Sequence, residues 1–162
     1  MRIYQRIEAL FAPSADVWER HSNPLSGWTR VPILPLLALA IYARLWIGWW
    51  CLLPIALLVL WAFVNPRAFP PPKDRSAWMT RAGHGERIWL NQKTNPIPAH
   101  HAKALKVLAP LPLLGIPTLI WGLYSLDAAL SAVSVSFVVI TKMWFLDRMV
   151  WLYEETPEDA RP

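Results

Sequence analysis

Nine residues of this 162-residue chain could serve a chemical site: His21, Asn23, Arg30, Asn65, Arg67, His84, Glu86, Asp147 and Arg148. They fall into four groups. The first runs Trp18-Glu19-Arg20-His21-Ser22-Asn23-Pro24 and continues to Arg30. An imidazole titrates near neutrality and can carry a proton, and a guanidinium can grip a phosphate or carboxylate with two hydrogen bonds. The bland alternative is an Asx-type turn with Trp anchors and a snorkelling arginine. The second group is Asn65-Pro66-Arg67, read as a helix stop followed by a cation that can face a lipid phosphate. The third spans Trp78 to Trp89 and holds Arg81, His84, Glu86 and Arg87. His84 and Glu86 suit acid–base exchange or weak metal binding, whereas the flanking Gly83 and Gly85 argue for a plain loop. In the fourth, Lys142, Asp147, Arg148 and Glu154 surround Trp144, Trp151 and Tyr153. Helical spacing puts Arg148 within reach of both tryptophans for a cation–π stack. Asp147 is expected to pair with Arg30 or Arg67.

No catalytic set is complete. His100-His101 is the only adjacent pair among four histidines, far from the repeated histidine clusters of membrane desaturases and hydroxylases. Ser26-Gly27-Trp28 lacks the histidine of the Ser-Gly-His step in lipid-phosphate phosphatases. There is no Gly-rich phosphate loop and no serine-nucleophile elbow. The single cysteine, Cys51, excludes an internal disulfide and a cysteine-based metal cluster. No metal and no cofactor is expected.

What must position these groups is a membrane scaffold. Residues 31–64 and 105–146 form two apolar blocks, each long enough for two crossings, since one span needs about 20 residues. The chain is 55% hydrophobic with eleven tryptophans, a residue suited to the membrane interface. The fold expected is all-α, a polytopic membrane protein with four transmembrane helices as two hairpins plus short interfacial helices. One integral domain is expected over 1–162: an N-terminal cytoplasmic or interfacial segment at 1–30, hairpins at 31–64 and 105–146, a cytoplasmic loop at 65–104 and a tail at 147–162. Twelve cations lie in 1–30 and 65–106, against Arg44 alone in the opposite turns, so both termini and the central loop should be cytoplasmic. A single span over 45–64, with 31–43 lying along the interface, conflicts with that bias. Residues 1–30 show no cleavable signal peptide. The net charge of +5 is explained by topology and anionic headgroups, with no nucleic-acid fold in view.

Finer features follow from local pattern. Ile3, Ile7, Leu10 and Phe11 recur at helical spacing as a surface-lying helix, and Ser14 can cap a turn through Trp18. Two short helices, 76–82 and 86–91, are expected to break at Gly83-His84-Gly85. Kinks are expected at Pro54, Pro110, Pro112 and Pro117. Ala128, Ala132 and Ser136 form a small-residue stripe for close helix approach.

The runs WERHSNPLSGWTR, NPRAFPPP and KMWFLDRMVWLYEE resemble an uncharacterised family of small bacterial and archaeal integral membrane proteins. The resemblance implies a membrane protein and carries no functional residue across; the spans and the charge bias make the expected location the inner (plasma) membrane, multi-pass. A non-enzymatic membrane protein is therefore expected: an accessory, scaffold or lipid-organising chain with a basic, Trp-rich cytoplasmic face. The alternatives are an interfacial enzyme acting on an anionic lipid or amphiphile, and a small transporter subunit. Membrane lipids are the expected partners, with a partner protein or homo-oligomer as further candidates and no nucleic acid.

Overall fold

The computed structural model describes residues 14–161, so the helix expected at residues 3–11 lies outside the described residues. All regular elements in that range are helical. Helix α1 (Ala15–His21) starts at Ser14, whose Oγ accepts the Val17 N–H at 3.4 Å. Helix α2 (Pro24–Arg30) starts at Asn23, whose Oδ1 accepts the Leu25 N–H at 2.9 Å, with proline in the first turn where no N–H is missed. There follow α3 (Ile33–Tyr42), α4 (Arg44–Ile47), a 3-10 turn (Gly48–Cys51) and α5 (Leu52–Ala68). Helices α6 (Trp78–Leu90), α7 (Ala99–Leu108), α8 (Leu111–Ser125) and α9 (Ala128–Glu155) complete the fold, with a last 3-10 turn at Glu158–Ala160.

Three helical runs, Pro24–Ala68, Ala99–Ser125 and Ala128–Glu155, are long and apolar enough to cross a membrane. The first folds back on itself. Ser26 Oγ donates to Asn65 Oδ1 at 2.7 Å, which brings the two ends of the run together. Its middle lies at the other end of the bundle: Tyr42 Oη is 3.0 Å from Ser131 Oγ, and Arg44 donates to the Leu123 carbonyl at 2.7 Å. The reversal uses Gly48 at φ +54°, a conformation costly for residues with a Cβ. The second reversal is sharper. Leu126 is left-handed at φ 60°, and Asp127 Oδ1 caps α9 by accepting the Leu130 N–H at 2.9 Å.

The largest cluster of buried hydrophobic side chains among the described residues lies at one end. Trp18, Ala82, Trp89, Leu105, Phe145, Met149 and Leu152 join α1, α6 and α7 to the C-terminal half of α9. Along the apolar runs the large side chains face outward instead: Leu52, Leu53, Leu57, Leu60 and Phe63 of α5 are all exposed. Exposed aromatics mark both ends, with Trp46, Trp49, Trp50, Trp121 and Tyr124 at the reversals and Trp28, Trp144 and Trp151 beside the core.

Several local expectations are corrected. Residues 78–90 form one helix, not two helices around a loop. Gly83 and Gly85 are there for contact: a Cβ at Gly85 would overlap the Met149 carbonyl oxygen, and one at Gly83 would sit 2.8 Å from Ser22 Oγ. Pro66 does not stop α5, which runs on to Ala68 and holds Pro66 in its last turn. Pro54 falls in the first turn of α5, Pro110 is the N-cap of α8 and Pro112 lies in its first turn, so only Pro117 of the four sits in a helix interior. Ala128, Ala132 and Ser136 are exposed; Ser131, Ser134 and Thr141 are the small residues of α9 that are buried.

Candidate functional site

The polar groups gather where α1, α2 and the end of α5 meet α6 and α9. Asn65 organises the floor. It is fully buried, accepts from Ser26 Oγ, and donates through Nδ2 to Thr29 Oγ1 at 2.8 Å. Asn23 closes the edge, with Nδ2 donating to the Pro70 carbonyl at 2.9 Å. Both asparagines thus act as braces between distant segments.

Arg30 curls back over α1. Its Nη1 is 2.6 Å from the His21 ring nitrogens, and its Nη2 donates to the His21 carbonyl at 3.1 Å. Guanidinium has no acceptor, so His21 must offer a lone pair and be neutral. Burial pushes the His21 pKa well below its usual value, and the charges of Arg30 and Lys142 push it the same way. Opposite, Lys142 Nζ lies 3.5 Å from Glu86 Oε1 and 4.6 Å from the Phe145 ring.

These four side chains rim a cavity of about 460 Å³. Its walls are apolar, built by Ile33, Leu34 and Leu37 of α3 and Val138, Val139, Met143 and Leu146 of α9. The rim carries Arg30 and Lys142 against Glu86, with His21 neutral, which leaves about one positive charge. The cavity therefore sets a cationic mouth over an apolar slot.

The remaining candidates lie elsewhere. His84 sits on another part of α6, fully buried, its ring 5.9 Å from that of Tyr153 and its Nε2 3.8 Å from Glu19 Oε2. Among the described residues neither ring nitrogen has a hydrogen-bond partner. Burial lowers its pKa, and Arg75 and Arg87 add to this while Glu19 opposes it. His84 and Glu86 are therefore not an acid–base pair: the first faces Glu19, the second Lys142. Arg67 is exposed and donates to the Phe63 carbonyl at 3.0 Å. Asp147 is half-buried and pairs with neither Arg30 nor Arg67. Arg148 stacks on Trp151 at 5.3 Å and is not among the residues lining the cavity.

Four contributors are absent from the candidates chosen by residue type. Ser26 and Thr29 hold Asn65, Lys142 completes the rim, and Glu19 ties α1 to α6 through Arg87 at 3.2 Å. Glu19 and Ser26 stand within the WERHSNPLSGWTR run, so that run's density of polar groups was the available signal.

Residues 2–161 match the model of a family of unknown function, DUF6653. The chain belongs to that family. No curated protein and no solved structure matches it. Membership in DUF6653 spans every residue of the cavity and assigns none of them a role.

Proposed function

We propose that this DUF6653 chain is a non-enzymatic membrane protein that holds an anionic amphiphile in the cavity rimmed by Arg30 and Lys142, and so organises lipid at the cytoplasmic face. The observation that carries the reading is the cavity itself, with two cations and one carboxylate over apolar walls. A net charge near one suits a phosphodiester headgroup, and the slot suits part of an acyl chain.

The membrane setting is supported independently. Large apolar side chains face outward along α5, and exposed aromatics ring both ends of the bundle. From Asp127 to Trp144 the α9 backbone rises about 26 Å, close to the thickness of a hydrocarbon core. On this reading the chain crosses four times as two hairpins. The end with the core, the cavity and most cations faces the cytoplasm, and the reversals at Arg44 and Leu126 face away.

A second reading is an enzyme acting on the same amphiphile, favoured by one observation: an imidazole, His21, stands at the rim of the cavity. The described lining holds no Ser, Thr or Cys that it could activate, so binding is preferred. Native mass spectrometry of the protein released gently from its own membrane tests the proposal. One retained phospholipid per chain, lost when Leu34→Trp fills the slot, is the expected result. A bare wild-type chain, or a lipid retained equally by the variant, overturns it.

A further inference from the structure

At the far edge of the core, away from the cavity, α7 begins beside the end of α9. His100 and His101 fall in the first turn of α7, and Glu155 is the last residue of α9. Neighbours on a helix diverge by about 100°. Yet both imidazoles turn to one carboxylate oxygen: His100 Nε2 lies 2.9 Å and His101 Nε2 3.0 Å from Glu155 Oε2. The ligand atoms of the three residues all lie within 4.8 Å of one another. We infer that His100, His101 and Glu155 form a site for a divalent transition-metal ion such as Zn²⁺.

The donor set is the argument's first support. Two imidazoles and one carboxylate are the three protein ligands of open zinc sites, in which an exogenous ligand takes the fourth position. Bonds of about 2.0–2.2 Å at tetrahedral angles separate ligands by about 3.3–3.6 Å. The two histidine–glutamate pairs therefore need to open by only a few tenths of an ångström.

The second support is burial. The His101 side chain is wholly buried, and among the described residues its Nδ1 has no hydrogen-bond partner. Burial fixes that imidazole in one orientation, with Nε2 turned to Glu155, so one ligand atom is held in place by the core. His100, by contrast, is mostly exposed, and the Glu155 carboxylate also lines an open cavity of about 490 Å³ with Asn91, Asn95 and Thr156. Water and ions thus have access to one side of a site whose other side is fixed in the core.

The test uses the full chain in detergent, without a histidine tag, stripped by chelator and titrated with Co²⁺. The wild type should take up one equivalent, with the intense visible d–d bands of low-coordinate nitrogen and oxygen ligation, and Zn²⁺ should bleach them. His100→Ala and Glu155→Gln should each weaken uptake by more than about tenfold. The His100 side chain is 57% exposed and that of Glu155 46%, so these variants should keep the wild-type melting curve without metal, and buried His101 is left in place. Absence of a stoichiometric Co²⁺ spectrum in the wild type overturns the inference. So does a spectrum that both variants retain unchanged.

Discussion

Ser26 and Asn65 lie thirty-nine residues apart in sequence and share a buried 2.7 Å hydrogen bond. That bond closes the first apolar run into a hairpin at the same end of the molecule that carries Arg30 and Lys142. Its partner amide reaches Thr29, so one side chain serves both directions of the fold. Asn65→Ala would leave the Ser26 hydroxyl without its acceptor in a dry site. We expect a loss of about 1–3 kcal/mol, read as a lowered thermal midpoint in detergent. An unchanged midpoint would mean that the hairpin is closed by packing alone.

Gly85 tests the junction of α6 and α9. With no Cβ, it lets the two helices approach until the Met149 backbone fills the space. Gly85→Ala forces them apart and should destabilise by about 1–3 kcal/mol or more, as overpacking in a tight core does. Ala also has the higher helix propensity, so a loop at this position would predict a neutral or stabilising change. A melting comparison decides between the two.

Acid should destabilise the fold through His21 and His84. His21 and His84 both have pKa values lowered by burial in the folded chain, so the unfolded chain binds more protons once the pH falls below about 6.5. Stability from these two neutral rings is complete above that value and is lost as pH falls toward their folded pKa values. The midpoint should drop between pH 7.5 and 5.5, and the slope should flatten in a His21→Gln, His84→Gln double variant. A midpoint that rises on acidification would contradict the assignment of neutral rings.

Topology is open to labelling. In a Cys51→Ala background, Asp74→Cys lies in the segment joining α5 to α6 and Ser125→Cys at the reversal before α9. A membrane-impermeant maleimide should reach them from opposite sides, with position 74 modified only after the cytoplasmic face is opened. Modification of both from one side would exclude the two-hairpin topology.

The sequence made the large features legible because they follow from length and apolarity alone. Two long apolar blocks, a reversal near Arg44 and another near residues 125–127 all stand in the structure. The glycines misled, since a pair around His84 signals a break in isolation, while here the neighbouring backbone of α9 occupies the space a Cβ would need. Pro66 misled for a related reason: tertiary contacts around buried Asn65 carry the last turn of α5 past it. Three of the four rim side chains of the cavity were legible. His21, Arg30 and Glu86 stand out by chemistry, but nothing local shows that Lys142 comes back to meet them, fifty-six residues beyond Glu86. The convergence of His100 and His101 on Glu155 was hidden in the same way, since the acid is more than fifty residues from either imidazole.

The most direct measurement is headgroup selectivity in lipid nanodiscs of mixed phosphatidylglycerol and phosphatidylcholine, read as the lipid retained per chain by native mass spectrometry. The wild type should retain phosphatidylglycerol preferentially, and Arg30→Gln with Lys142→Gln should abolish the preference while leaving the chain folded. Equal retention of both lipids by the wild type, or a preference that survives loss of both cations, would contradict a lipid site at this cavity.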